Sequence, residues 1–232
     1  MEKLSLCIPT YNRFDLVLKC VSRVMDDPRI DEIVLCDDAS TDGSLEKLAA
    51  WSETIPKIKL YHNAKNLDCY ANKREALKCA TNDWCILFDS DNEIGLDYLD
   101  RLENWAYLDP ECAYLPVFAK PHFDYREFSG LTFHRTNVAP KMDNATFRCA
   151  LNTANYLVHR QTYLALWDPQ VNPITADSIY MNYRYLAHGK RLVFIPGLEY
   201  HHLVHEQSHY KLNCHKTGRF IDDVEKKLRE LK

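Results

Sequence analysis

Three times in the first half of the chain a short apolar run stops on a polar or acidic cluster, and this repeated ending constrains the fold more than any other feature. Leu4-Ser5-Leu6-Cys7-Ile8 runs into Pro9-Thr10-Tyr11-Asn12-Arg13, Ile33-Val34-Leu35-Cys36 into Asp37-Asp38-Ala39-Ser40-Thr41-Asp42, and Trp84-Cys85-Ile86-Leu87-Phe88 into Asp89-Ser90-Asp91-Asn92. Short, nearly continuous apolar runs bounded by turn residues read as strands buried on both faces. Segments of helical spacing lie between them: Phe14, Val17, Leu18, Val21, Val24 and Met25, then Ser44 to Trp51, then Tyr70 to Ala80. Ile58-Lys59-Leu60-Tyr61 adds a strand, Leu96, Leu99 and Leu102 a helical stripe, and Ala113 to Phe118 a further strand. Strands alternating with helices predict an α/β fold with a mostly parallel, doubly wound sheet. In such a sheet the carboxyl ends of the strands share one rim, where ligands bind.

The pattern breaks over residues 120–148, which carry prolines, aromatics and mixed charges without a period, and this stretch is expected to be a long, partly ordered excursion over the active rim. Regularity returns with a strand at Tyr156-Leu157-Val158 and a helix from Ser178 to about His188, closed by Gly189. The strand Leu192-Val193-Phe194-Ile195 follows. The tail, Thr217 to Lys232, forms an amphipathic helix with Phe220, Val224, Leu228 and Leu231 on one stripe. Packing on the domain is the first expectation for that stripe, and a partner or membrane-surface contact the second.

Composition narrows the function classes. A net charge of −4 gives no reason to expect nucleic acid as a partner. No apolar run approaches the ~20 residues of a transmembrane helix, and the opening Met1-Glu2-Lys3-Leu4-Ser5-Leu6 lacks the apolar core of a signal peptide. The 9 cysteines are scattered, several inside apolar runs, which fits small buried hydrophobes in a reducing cytoplasm better than a disulfide framework. Neither a Gly-x-Gly-x-x-Gly fingerprint nor a P-loop occurs among the 6 glycines.

The acids at the rim set the chemistry. Carboxylates crowded at three neighbouring strand ends repel one another unless donors or a cation offset them. Hard oxygen ligands there suit Mg²⁺ or Mn²⁺ carrying phosphates. Asp, Ser and Asn are also ordinary turn and N-cap residues, so a single Asp-x-Asp leaves both readings open.

Together, the three strand-end segments and their spacing resemble the signatures of family 2 glycosyltransferases of the GT-A fold. The resemblance implies one domain over residues 1–216, with a nucleotide-sugar half (1–118), an acceptor and catalytic half (119–216), and an added helix (217–232). It implies that Pro9, Thr10, Tyr11, Arg13, Asp37, Asp38, Lys73, Asp89 and Ser90 surround a nucleotide-sugar, with Asp38 accepting from the base. Asp91 would be the metal ligand, with Asp89 nearer the ribose and in the layer around the metal's direct ligands, and Mn²⁺ or Mg²⁺ the cofactor. Asn66-Leu67-Asp68-Cys69-Tyr70-Ala71-Asn72-Lys73-Arg74 stands where the family has Asn-x-Gly and then Arg-Asn. Asp68 replaces the Gly, Lys73 the Arg and Arg74 the Asn, so a cation is kept without the planar fork of arginine.

In the second half, Ala176-Asp177 resembles the family's Glu-Asp pair with the Glu lost, which makes Asp177 the general base of an inverting transfer. An N-cap role for Asp177 fits the sequence equally well. Val204-His205-Glu206-Gln207-Ser208 resembles the family's C-terminal loop, in which a histidine reaches the metal or diphosphate. His205 is the first expectation and His202 the second. A zinc site from these histidines and Cys214 lacks any recognisable spacing. Asn152-Thr153-Ala154-Asn155-Tyr156 resembles a segment near the acceptor, and Tyr125, Phe133 and Trp167 are candidates for stacking on a sugar or for the core. The implied partners are a nucleotide-diphosphate sugar, a UDP-sugar first, and a saccharide or lipid-linked acceptor. The expected place is the cytoplasm, with peripheral contact to the inner membrane face through the C-terminal helix as a further expectation. The alternatives are a nucleotide-sugar-binding protein without turnover, a nucleotidylyltransferase, which would want a Gly-rich loop after the first strand, and an Asp-nucleophile phosphatase.

Overall fold

The computed structural model describes residues 3–105, 107–204 and 208–232. Its strands are β1 (Leu4–Thr10), β2 (Ile30–Asp37), β3 (Ile58–His62), β4 (Trp84–Leu87), β5 (Cys112–Leu115), β6 (Phe118–Lys120), β7 (Phe123–Asp124), β8 (Thr132–Phe133), β9 (Tyr156–His159), β10 (Arg191–Phe194) and β11 (Glu199–His201). An 8-stranded sheet runs β3-β2-β1-β4-β9-β5-β10-β8, and a 3-stranded sheet runs β11-β6-β7. The strands β1 to β4 pair in parallel, as do β5 and β10. Only β9, between β4 and β5, and the edge strand β8 run antiparallel in the large sheet. This is the mostly parallel sheet, covered on both faces, that the alternation of strands and helices predicts.

The period of two within each strand divides the core. Leu4, Leu6 and Ile8 of β1, Ile33 and Leu35 of β2, and Trp84 and Ile86 of β4 point to one face. There α1 (Phe14–Val21), α2 (Ser44–Thr54) and α4 (Leu96–Glu103) cover them with Val17, Val21, Leu48, Leu99 and Leu102. Cys7, Val34, Cys36, Cys85 and Leu87 point to the other face. That face is closed by α3 (Asp68–Cys79), α5 (Ala145–Leu151), α6 (Arg160–Leu166) and α7 (Asp177–Ala187). Sheets covered on both sides need strands that are apolar over nearly continuous runs, as Ile33 to Cys36 of β2 and Trp84 to Leu87 of β4 are. All 9 cysteines are free, and Cys7, Cys36 and Cys85 act as small core residues facing α3.

Two expectations need correction. The strand expected over Ala113 to Phe118 is two strands, β5 and β6, in different sheets. Pro116 intervenes, and Val117 N–H turns away to donate to the Leu198 carbonyl at 2.8 Å. The excursion over residues 120–148 is built from β7, β8, helical turns at Arg126–Phe128 and Ala139–Asp143, and the start of α5. Phe128, Phe133 and Phe147 are buried there, with Phe133 and Phe147 centroids 4.5 Å apart and Phe194 of β10 5.7 Å from Phe133. Aromatic burial holds this segment in pieces too short to show a period.

After the short helix α8 (His209–Asn213), α9 (Gly218–Arg229) closes the chain. Val224 and Leu228 are buried, and Phe220, Ile221 and Leu231 pack against the same core. The apolar stripe of the tail therefore faces the domain. No helix among the described residues is long and apolar enough to cross a membrane. Truncating Leu228, which is 0% exposed, to alanine should cost about 2–5 kcal/mol of unfolding free energy. Urea denaturation checks this, and a loss below about 0.5 kcal/mol, the size of a surface change, would mean that the stripe is not part of the core.

Candidate active site

Strand register brings the rim residues together. Thr10 at the end of β1 pairs with Asp37 at the end of β2, and the next amide, Asp38 N–H, donates to the Thr10 carbonyl at 2.9 Å. On the other side of β1, Cys7 is opposite Leu87 of β4, and Phe88 N–H donates to the Cys7 carbonyl at 2.9 Å. Asp89 to Asn92 thus emerge beside Thr10 to Arg13. A cavity of about 700 Å³ opens over this rim, walled by Pro9, Thr10, Tyr11, Arg13, Asp38, Lys73, Asp89, Ser90, Asp91, Asp177 and His202, among others. Of the described residues expected at the site, only Asp37 is absent from the wall. It is fully buried and braces the loop after β2, accepting from Ser40 N–H at 2.9 Å and from the Ser40 hydroxyl.

At the centre lies Lys73, on α3. Its ammonium is 2.8 Å from Asp177 Oδ2 and 2.9 Å from Asp89 Oδ1. Burial opposes the charge on Lys73, but Asp177 and Asp89 outweigh it and hold its pKa well above the ordinary lysine value. Asp89 is shifted up from the usual carboxylate value, first by burial and then by Asp91 and Asp177, against the pull of Lys73. Asp177 is the first residue of α7, and Ala176 holds the N-cap position. The carboxylate is therefore directed at Lys73 and the cavity, not spent capping its own helix. Asn152 Oδ1 instead accepts from Ile179 N–H in that first turn, at 3.4 Å.

On the β1–β2 side, Asp38 Oδ1 accepts from Asn63 Nδ2 at 2.8 Å and Leu67 N–H at 2.9 Å. Burial raises its pKa, and these bonds work the other way. Among the described residues the Thr10 hydroxyl is buried in the wall with no hydrogen-bond partner, and Tyr11 shows 39% of its surface at the cavity. Asp68 has φ +70°. The position where the related motif has glycine keeps the left-handed backbone that glycine favours, with Asn66 Oδ1 accepting from Asp68 N–H at 3.0 Å to hold the turn.

Arg13 Nη1 pairs with Asp91 Oδ2 at 2.9 Å, and the Nδ1 atoms of His202 and His122 are 3.0 Å apart. His205 lies outside the described residues. Among the described residues no three His, Cys, Asp or Glu side chains converge as a ready-made metal cage, Cys214 included. A carboxylate and an imidazole on one wall still suit a Mg²⁺- or Mn²⁺-type ion, which takes only one or two protein carboxylates and completes its shell with water and substrate phosphates. Asp91 and His202 would hold it.

Comparison with known proteins shows the family. The family model "Glycosyl transferase family 2" matches residues 5–158. The chain belongs to glycosyl transferase family 2. Abequosyltransferase RfbV of Salmonella typhimurium is 31% identical over 112 residues, 47% of this chain and 33% of its own. A poly(ribitol-phosphate) beta-glucosyltransferase of Bacillus spizizenii is 32% identical over 108 residues, 45% of this chain and 17% of its own. The chain therefore spans a third or less of the length of these relatives. Solved structures share the fold, two of them as follows. S. aureus TarS 1–349 in complex with UDP-GlcNAc has a TM-score of 0.70 at 17% identity, over 96% of this chain and 66% of that one. The mannosyltransferase PcManGT from Pyrobaculum calidifontis, in complex with GDP-Man and Mn2+, has a TM-score of 0.65 at 18% identity, over 93% and 61%.

Around this family 2 site, the contacts of two residues escape a reading by motif. Asn155 is in the left-handed region at φ +65°, and its Oδ1 accepts from Asp89 N–H at 2.7 Å. The sequence resemblance puts Asn155 in a segment near the acceptor, but not in contact with Asp89. Phe123 is 39% exposed at the cavity and lies 5.1 Å from the His202 ring. Of the aromatics expected near the acceptor, Tyr125 lines the cavity, Phe133 is in the core, and Trp167 stacks on Tyr70 at 5.4 Å. Arg74 lies over the Trp167 ring at 4.4 Å, outside the wall.

Two outcomes follow. Asn155→Ala loses the bond to Asp89 N–H and places a Cβ-bearing residue without an amide in the left-handed region. It should destabilise by about 1–3 kcal/mol, whereas Asn155→Gly should cost less because the backbone is relieved; thermal unfolding of the pair decides. For Asp38, a folded pKa above the unfolded value means that its contribution is present at low pH and lost as pH rises through the folded value. Asp38→Asn should therefore unfold at a higher temperature than wild type at pH 7, with the gap closing as pH falls toward about 4. A gap that widens on acidification would overturn the assignment.

Proposed function

We propose that the protein transfers a sugar from a nucleotide-diphosphate sugar to a hydroxyl acceptor with inversion, with Asp177 as general base. The observation that carries this reading is the meeting in one cavity of the β4-end acids Asp89 and Asp91 with Asp177 from the first turn of α7. Base and ribose would lie against Tyr11, Thr10 and Asp38, where the buried Thr10 hydroxyl has no partner among the described residues. The diphosphate would lie by Arg13 and Asp91. A divalent ion held there would neutralise charge on the departing diphosphate. Asp177 takes the proton of the acceptor hydroxyl while its oxygen forms a bond to the anomeric carbon and the bond from that carbon to the phosphate oxygen breaks. Arg13 steadies the anion that leaves.

The base preference follows from Asp38. Asp38 already accepts from Asn63, Leu67 and the Asp68 backbone, so little of its acceptor capacity remains for nucleobase N–H groups. A single N–H, as in uracil, fits this better than the two parallel donors of guanine. That supports a UDP-sugar over a GDP-sugar.

Calorimetric titration of UDP and GDP with Mn²⁺, followed by hydrolysis of a panel of their sugars, tests the reading. UDP should bind at least about tenfold more tightly, a difference of 1.4 kcal/mol. Asp91→Asn should lose metal-dependent binding. Asp177→Asn should keep UDP affinity and lose about 10²–10⁴-fold in turnover. Unchanged turnover in Asp177→Asn would remove it as the base, and tighter binding of GDP would reverse the donor assignment.

A further inference from the structure

We propose that Lys73 is a positioning residue that clamps Asp89 and Asp177 in register across the cavity, and that it does not read the nucleobase. This rests on the function proposed above. The resemblance to family 2 places a cation at this point and implies a base contact, but the ammonium here is engaged elsewhere. Its two short ion pairs go to one acid on the β4 rim and one on α7, and Lys73 itself is 4% exposed.

Both ends of the clamp are anchored independently. Asp89 is fixed by Asn155 Oδ1, which accepts its backbone N–H at 2.7 Å. The amino end of α3 is tied to the segment before α7 by the Cys69 thiol, which donates to the Ile174 carbonyl at 2.9 Å. One turn further along α3, Lys73 therefore meets Asp177 from a fixed distance. Ile174 has φ +53°, a costly backbone for a β-branched residue, so the link is held against local strain. Burying Lys73 and Asp177 and half-burying Asp89 is a poor way to gain stability, since desolvation offsets most of the attraction. Its use is geometric. A carboxylate that must face an acceptor hydroxyl gains most from being held in one orientation, because displacement by about 1 Å can cost about 10²-fold in rate. Lysine suits a clamp between two separate carboxylates, as a compact point charge with three donors.

The test compares Lys73→Met, Lys73→Arg and the double variant Lys73→Met/Asp177→Asn with wild type. It measures UDP affinity by calorimetry with Mn²⁺, and kcat and KM for hydrolysis of the UDP-sugar that wild type turns over best. The clamp predicts UDP affinity and donor KM within about threefold of wild type in every variant. It predicts kcat lower by about 10²-fold in Lys73→Met and about tenfold in Lys73→Arg, with no further loss in the double variant beyond Asp177→Asn alone. A structural role alone would not split kcat from KM in this way. Should Lys73→Met fail to fold, Lys73→Arg, which keeps the charge, carries the comparison. A tenfold or greater loss of UDP affinity at unchanged kcat would overturn the proposal and restore the nucleobase contact, and an unchanged kcat in Lys73→Arg and Lys73→Met would also overturn it. If wild type turns over no UDP- or GDP-sugar, the transferase reading fails, and UDP affinity alone then decides between clamp and nucleobase contact.

Discussion

A parallel sheet covered on both faces leaves its polar side chains mainly the ends of its strands. Here Asp37, Asp38, Asp89 and Asp91 gather at the carboxyl-end rim, while Ser5 and Glu32 pair near the other end. In this protein the faces are closed by two apolar clusters that the strands feed alternately, Leu6 and Ile8 to one side and Cys7 to the other. Every group with chemistry is displaced to the rim or to helices that begin there. The site depends on that displacement. It places Thr10, Asp38 and Asp89 within one cavity wall although they are far apart in sequence.

The crowding that results has an electrostatic cost, and the protein offsets it with cations from outside the sheet. Asp91 is met by Arg13 just before α1, and Asp89 and Asp177 by Lys73 of α3. Asp38 receives neutral donors and is left with its ionisation disfavoured by burial. Such a site is poised against its own stability, because a carboxylate held for a ligand is a liability when the ligand is absent. The neutral and cationic partners differ in consequence. Donors from Asn63 and Leu67 orient Asp38 without cancelling its charge, whereas Arg13 and Lys73 cancel charge where several acids meet.

How much of this was legible in the sequence depended on whether a residue's role is local. The strand ends were legible because an apolar run stopping on Asp-Asp or Asp-Ser-Asp is a local pattern, and the sheet then assembles them. The start of α7 was legible to within a residue. Residues 120–148 were not, because their order comes from Phe128, Phe133 and Phe147 meeting Phe194, contacts that no window along the chain contains. The bond of Asn155 to Asp89 was hidden for the same reason, since it spans 66 residues. Lys73 was visible as a cation in a family position but not as the partner of Asp177, which lies 104 residues away. The replacement of the expected glycine by Asp68 looked like a departure in sequence and is none in backbone, because the residue adopts φ +70°.

These backbone exceptions have a common placement. Asn12, Asp68, Asn155 and Ile174 all have positive φ, and each is in or next to the wall of the cavity. Asparagine and aspartate tolerate that region because their short side chains bond to nearby backbone, and Asn12 and Asp68 do so: Asn12 Oδ1 accepts from Thr41 N–H at 2.7 Å and Asp68 Oδ1 from Cys69 N–H at 2.8 Å. Ile174 has no such compensation in its own side chain. Its carbonyl, turned toward Cys69, is what the strained conformation gains. Strain there fixes the approach of α7 to α3, and so the reach of Lys73 to Asp177. The fold thus spends its least favourable backbone where two helices must hold one carboxylate still, and its most regular backbone where only burial is required.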